Sequence, residues 1–280
     1  MTARTPAEPA FIIGRLSAFL GVVHQAKKKD RRDVYSARID VDGTAHVVAL
    51  KVMRPKPVAN ECAAHLAGRL LGFTVLDPFL VLCPASLLKE MNLPLDKPRV
   101  AFATRLSKLK TMNTNPEAQK FEFWTRELKA KWFRQTFVFD VLVGNEDRVM
   151  KNLFFMEVEG KDRYVLLDHQ MCLFGGHWTA ESLQISKRKN GDNILNKWLS
   201  LCTEQVLDGI METANSWRGK ITREVLSPLE VLVDLGVLDK DQLKGVFEFL
   251  TWRSENLPTL VMKQINLERP YPTLSMGGGV

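Results

Sequence analysis

The chain has 280 residues, with 39 Lys and Arg against 32 Asp and Glu, a net charge of +7 and a pI near 9.2. Hydrophobic residues at 45% and charged residues at 25% exclude a mainly disordered chain, and 4 cysteines in this length exclude a disulfide scaffold. No apolar run of about 18 residues occurs, so no membrane-spanning helix is expected, and the opening MTARTPAEPA has no apolar stretch of a signal peptide; a reducing cytoplasm is the expected compartment.

The first ten residues read as poorly ordered. Gln25–Asp33 (QAKKKDRRD) is a basic loop, read as solvated and mobile or as a lure for phosphate. Val34–Asp40 alternates as a strand does, Asp42-Gly43 suits a type I′ hairpin turn, and Ala45–Met53 returns as a second strand. Pro57 stands where a helix begins. Val58, Cys62, Leu66 and Leu70 then form an i, i+4 stripe, and Gly72 closes the segment. With further strands at Phe79–Leu82 and Arg99–Arg105, this part reads as a small sheet carrying one helix.

Asn115-Pro116 marks a helix start, with Phe121, Trp124, Leu128 and Trp132 at helical spacing, Phe133, Phe137 and Val141 on a neighbouring line, and Gly144 at the end. This aromatic band is expected to be core, not a stacking platform for nucleic acid. Asn152–Glu157 and Arg163–Leu167 read as two strands around Glu159-Gly160. Ser227-Pro228-Leu229-Glu230 has the form of a capping box, Gly236 ends that helix, and Asp239 with Gln242 caps the next, whose apolar face is Leu243, Val246, Phe247 and Leu250. The tail from Arg269, with Gly277-Gly278-Gly279, is expected to be disordered. Cys62, Cys83, Cys172 and Cys202 form no C-x-x-C pair. His169, Cys172 and His177 lie close in sequence but lack a fourth ligand, so packing is preferred to metal binding.

The polar segment Gly144–Asn152 joins an apolar helix to a strand, a place where function concentrates. In it Asp147 and Asn152 are five residues apart, and Asp168 follows sixteen residues later at the end of Tyr164-Val165-Leu166-Leu167. Phosphoryl transfer needs such a set: one carboxylate to take the proton of an attacking hydroxyl, and an amide oxygen with a second carboxylate to hold Mg²⁺. Upstream, Lys51 lies in an otherwise apolar strand and needs solvent or a partner, which Glu61 on the following helix can supply. Each residue has an ordinary reading too: Asp147 and Asp168 as turn formers, Asn152 at a strand edge, Lys51 on an edge strand with Glu61 on the surface.

The ordered set resembles HipA-like kinases, a distant branch of the protein-kinase-like fold. The likeness rests on DGTAHVVALKV, NECAAHLAGRLLG (Asn60–Gly72), FDVLVGNEDRVMKNLFF (Phe139–Phe155) and YVLLDH (Tyr164–His169), and spans roughly residues 33–175. It implies an α+β, two-lobed protein-kinase-like fold: a small sheet-rich ATP-binding lobe over 11–110, a larger, mainly helical catalytic lobe over 111–268, and a tail over 269–280. It implies Lys51 on ATP phosphates with Glu61 as its partner, Asp147 as catalytic base, Asn152 and Asp168 as Mg²⁺ ligands, and Lys151 near the γ-phosphate. The strand Val100–Leu106 would lead to the adenine hinge. Three departures stand out: Val149 replaces the histidine usual two residues after the catalytic Asp, His169-Gln170 follows Asp168 in place of Phe-Gly, and no glycine-rich loop precedes Lys51.

The expected function is therefore an ATP- and Mg²⁺-dependent Ser/Thr protein kinase. A catalytically weak pseudokinase-like module binding nucleotide or a partner, and a lipid kinase, are the alternatives; a basic nucleic-acid-binding protein has only the net charge and the 27–32 cluster in its favour. A protein substrate is expected, and a regulatory protein partner is left unassigned.

Overall fold

The computed structural model describes residues 10–24, 34–91, 93, 97–111 and 130–268, and mixes strands and helices. The Gln25–Asp33 loop, the Asn115-Pro116 helix start with Phe121, Trp124 and Leu128, and the tail from 269 lie outside the described residues.

Five strands close into a barrel in the order β1-β2-β3-β5-β4: β1 Ile12–His24, β2 Val34–Val41, β3 Thr44–Lys51, β4 Pro78–Cys83 and β5 Arg99–Arg105. The expected small sheet is thus closed, because β1, a strand absent from the sequence reading, pairs antiparallel with β2 along its length and parallel with β4 through Ile12–Arg15. Its irregular pairing explains the omission: the register shifts at three places between Leu16 and His24, so no clean alternation marks it. The β2–β3 hairpin turns at Asp42 and Gly43, with φ of 50° and 82°, as a type I′ turn requires.

Alternation along the strands sorts the barrel into two faces. Tyr35, Ala37, Ile39, Val48, Leu50, Phe79, Val81, Ala101 and Ala103 fill its interior, while Leu80 and Phe102 point outward into a second core. Against that outer face lies α1, Pro55–Leu70, in which every residue from Val58 to Gly68 is buried. Small side chains on all sides (Ala59, Ala63, Ala64, Ala67, Gly68) let it sit between the barrel and the helices that follow. Leu70, expected on its apolar stripe, is exposed, since the stripe leaves the contact at the last turn. Leu71 and Gly72, the latter at φ 82°, close the helix.

After β5 the chain forms a three-stranded sheet from β6 Lys110–Thr111, β7 Phe154–Val158 and β8 Lys161–Val165. Asn152, expected to open a strand, stands in a 3₁₀ turn, Met150–Asn152. The helix α2 Ala85–Glu90 packs Leu87 and Leu88 against the barrel core, whereas α3 Lys131–Val143, α4 Ala180–Ser186, α5 Ile194–Trp198, α6 Glu204–Trp217, α7 Lys240–Glu255 and α8 Leu257–Glu268 supply most of the second core. The Asp239–Gln242 capping box starts α7, and Leu243, Val246, Phe247 and Leu250 are buried beneath it. The box expected at Ser227 does not form. The local helix begins earlier, where Thr222 Oγ1 accepts from Val225 N, and Ser227 lies one turn inside with its hydroxyl on Glu224 O. No helix among the described residues is long and apolar enough to cross a membrane.

Candidate functional site

Strand alternation explains the lysine. Leu50 faces the barrel interior, so Lys51 must face out, toward α1, and its ammonium meets two carboxylates: Glu61 Oε1 at 2.6 Å and Asp168 Oδ1 at 2.9 Å. Burial alone would lower the Lys51 pKa, but Asp168 and Glu61 outweigh it and hold the ammonium protonated well above its usual range. The Glu61 carboxylate is spanned at both oxygens, since its Oε2 accepts the backbone N–H of His169 at 3.0 Å.

Two further stitches fix α1 against the segment carrying Asp168. At the end of α1, Thr74 bridges Val165, and Thr74 O accepts the Leu166 N–H at 3.0 Å. Beside Glu61, the buried Asn60 amide donates to the carbonyls of Gln170 (2.8 Å), Cys172 (2.7 Å) and Gly175 (3.0 Å), while its oxygen accepts from Trp178 Nε1 at 2.8 Å. A Cβ on Gly68 would collide with the Leu166 side chain, so α1 passes that strand at glycine distance. Asp168 itself, three residues beyond the end of β8, takes φ 63°, a left-handed conformation that turns the chain there.

The Asp147 loop is organised by a buried ion pair. The Arg148 guanidinium is clamped on Asp140 of α3, with Nη2 to Oδ1 at 2.8 Å and Nε to Oδ2 at 2.9 Å. Its remaining N–H groups reach Asn152 O (3.1 Å), Leu167 O (3.4 Å) and His169 Nε2 (2.9 Å). One side chain therefore joins the residues that neighbour all three expected active positions: it follows Asp147, holds the backbone of Asn152, and grips both residues flanking Asp168. Burial, then Arg148 and Lys51, push the His169 pKa well down; the ring is neutral and Nε2 accepts from Arg148. Asn152 Nδ2 donates to Asp147 O at 2.9 Å, and Asn145 Oδ1 accepts the Asp147 N–H at 3.3 Å. The loop opens at Gly144 (φ 62°), where a Cβ would lie 2.8 Å from the Phe174 ring.

The structure thus brings Lys51, Glu61 and Asp168 into direct contact, and links Asp147 and Asn152 to them through Arg148. Lys151 is half-buried in the turn beside Asn152. The sequence reading missed Asn60, Asp140 and Trp178 and gave no role to Arg148 or His169. Asp140 carries a readable signal: a carboxylate inside FVFDVLV cannot be buried unpaired. No cluster of three or more His, Cys, Asp or Glu suited to a metal exists among the described residues, so His169, Cys172 and His177 form no such site. The four cysteines are buried thiols.

No known family profile and no curated protein matches the sequence. Solved structures do. A Helicobacter pylori proinflammatory kinase, CtkA, superposes with a TM-score of 0.52 over 84% of this chain and 92% of that one, at 14% identity. The Shewanella oneidensis MR-1 toxin–antitoxin complex of HipA, HipB and operator DNA matches with a TM-score of 0.40 over 97% of this chain and 70% of that one, at 12% identity, a score too low to carry weight. The kinase-like fold read from the motifs is met in the CtkA structure; at 14% identity it is a likeness of fold alone.

Proposed function

We propose, from a fold shared with a solved kinase, that this chain is an ATP- and Mg²⁺-dependent phosphotransferase acting on a Ser or Thr hydroxyl of a protein. In this reading residues 11–110 form the nucleotide-side lobe and 111–268 the catalytic lobe. The observation that carries it is the convergence of Glu61 from α1 and Asp168 from the segment after β8 to within 2.9 Å of the Lys51 ammonium on β3.

Lys51, kept as an ammonium, would meet the α- and β-phosphates, with Glu61 holding it in line. The donor set fits Mg²⁺: Asp168 supplies a carboxylate, and the Asn152 amide oxygen accepts no hydrogen bond among the described residues while its nitrogen is occupied by Asp147 O. Bound there, the ion would neutralise charge on the phosphate oxygens. Lys151, beside Asn152 in the same turn, would reach the γ-phosphate in this reading. Asp147, on a loop fixed at both its N–H and its carbonyl, would orient the acceptor hydroxyl. The bond formed joins that oxygen to the γ-phosphorus, the bond broken is to the β,γ-bridging oxygen, ADP leaves, and the proton passes to Asp147. Rate then comes from positioning and fixed charge.

The test is transfer of labelled γ-phosphate by Asp147→Asn and Asp168→Asn variants whose thermal unfolding matches the wild type. Both should lose transfer; undiminished transfer in the two would reject the assignment. Val149, in place of the family's histidine, favours a second reading, a nucleotide-binding module without turnover. Stabilisation by ATP with Mg²⁺, but no transfer by the wild type to itself or to lysate proteins, would select it.

A further inference from the structure

The Asp147 loop has a neighbour that the phosphotransfer reading leaves unused. Between α4 and α5 the chain runs Lys187-Arg188-Lys189-Asn190-Gly191-Asp192-Asn193, and its second half lies along the loop. Asn193 Nδ2 donates to Asn145 O at 3.1 Å, Ile194 N donates to Arg148 O at 3.1 Å, and a Cβ on Gly191 would stand 3.3 Å from both Asn145 O and Glu146 Cγ. Burial raises the Glu146 pKa, and nearby Lys189 pulls it the other way, so Lys189 is within electrostatic reach of the residue before Asp147.

This segment is held rigidly. The fully buried Arg253 of α7 donates through Nη1 to the carbonyls of Lys187 and Lys189, both at 2.8 Å, and through Nε to Val141 O and Leu142 O at the end of α3. One side chain thereby ties the basic run to the helix that delivers the Asp147 loop. Lys187 and Arg188 lie over the Trp252 ring at 5.7 and 5.9 Å, while Arg188 and Lys189 remain exposed.

We propose that Lys187–Asn193 is the acceptor-side wall of the Asp147 loop, and that Arg188 and Lys189 select hydroxyls lying within an acidic peptide segment; this rests on the phosphotransfer reading. Three consecutive cations beside Glu146 and Asp192 are too few and too mixed in sign for a polyanion surface, which needs many phosphate contacts or a cluster of about 4–8 basic residues. They do match a short acidic run. With about 3.3–3.6 Å per extended residue, two or three flanking carboxylates cover the same length. The fixed backbone spares the wall the ordering cost that a loose basic loop would meet on binding.

The test uses fluorescent peptides with one serine in acidic, neutral or basic surroundings, bound to the full chain with Mg²⁺ and a non-hydrolysable ATP analogue. The acidic peptide should bind about tenfold or more tightly than the neutral one, with the gap closing at high salt, and should be the preferred acceptor when ATP is supplied. The double variant Arg188→Glu/Lys189→Glu should lose or invert the preference. Lys220→Glu/Lys240→Glu, the same change of net charge on other exposed residues, should keep it. Equal binding of the three peptides, or a preference retained in Arg188→Glu/Lys189→Glu, overturns the proposal. Tighter binding to phosphoinositide vesicles or to single-stranded RNA, lost in that variant, overturns it by moving the wall to a phosphate ligand. An ATP thermal shift on the same samples keeps the two readings apart: a normal shift without peptide preference sinks only the wall, whereas no shift and no transfer sink the phosphotransfer reading beneath it.

Discussion

Lys51 is the ion-pair partner of the buried Glu61, and it also pairs with Asp168. The Glu61 side chain is 3% exposed and that of Lys51 20%, so removing the ammonium strands a carboxylate out of water. Lys51→Met should therefore cost about 3–5 kcal/mol of unfolding free energy, and adding Glu61→Leu should restore part of it, which a double-mutant cycle in urea would read. His65 is a second residue whose environment has a measurable consequence. Burial, then Arg69, lower its pKa to about 4, against an opposing pull from Asp77. The folded state thus keeps the ring neutral where the unfolded chain takes a proton near pH 6.5. Stability must fall as pH drops from about 6.5 toward about 4 and level off below, on the order of 3 kcal/mol in all. His65→Phe, which keeps a ring against Phe11 and Phe102, should remove that slope from the difference between wild-type and variant urea midpoints.

At the scale of elements, α1 and the 170–178 segment behave as one piece because Asn60 joins them. Asn60→Leu has similar volume but leaves three carbonyls and the Trp178 N–H without their partner, each worth about 1–3 kcal/mol when buried. The expected outcome is a loss of at least about 3 kcal/mol and new protease cleavage within 170–178; an unchanged digestion pattern would count against the latch. This is also where the sequence is least legible. The hairpin at Asp42-Gly43 and the helix ending near Gly72 follow from local turn chemistry and periodicity, and with the apolar run before Asp168 they bring out Lys51, Glu61 and Asp168 as candidates, although the strand itself stops at Val165, short of the expected Leu167. Asn60 gives no such sign: it resembles any polar residue near a helix start, and its partners lie more than 100 residues away. β1 stayed hidden because its bulges break the period of 2. The aliphatic stripe expected on α1 was incomplete for the opposite reason, since that helix is buried all round and its small residues carry no periodic signal.

Over the whole molecule, the second core is organised about a cation with no acid bonded to it among the described residues. Arg253 is fully buried, and burial lowers its pKa to about 9, so it stays charged at neutral pH and is met by carbonyl oxygens from the end of α3 and from Lys187 and Lys189. The Phe174 and Phe249 rings flank it at 5.3 Å. The negative end of a helix dipole takes the place of a counterion. Arg253→Met should lower stability by about 3 kcal/mol or more, from several charge-assisted bonds at once, and should also weaken acidic-peptide binding through the loosened 187–189 backbone; an unchanged urea midpoint would contradict this account. The long reach of such contacts sets an order of assembly. All five barrel strands precede residue 106, whereas the partner that completes the Lys51 site arrives 117 residues after it. On the ribosome, where chains fold as they emerge, the barrel can close first and wait with an ammonium facing a single carboxylate, so that a nascent chain completes the Lys51 cluster only after Asp168 has emerged.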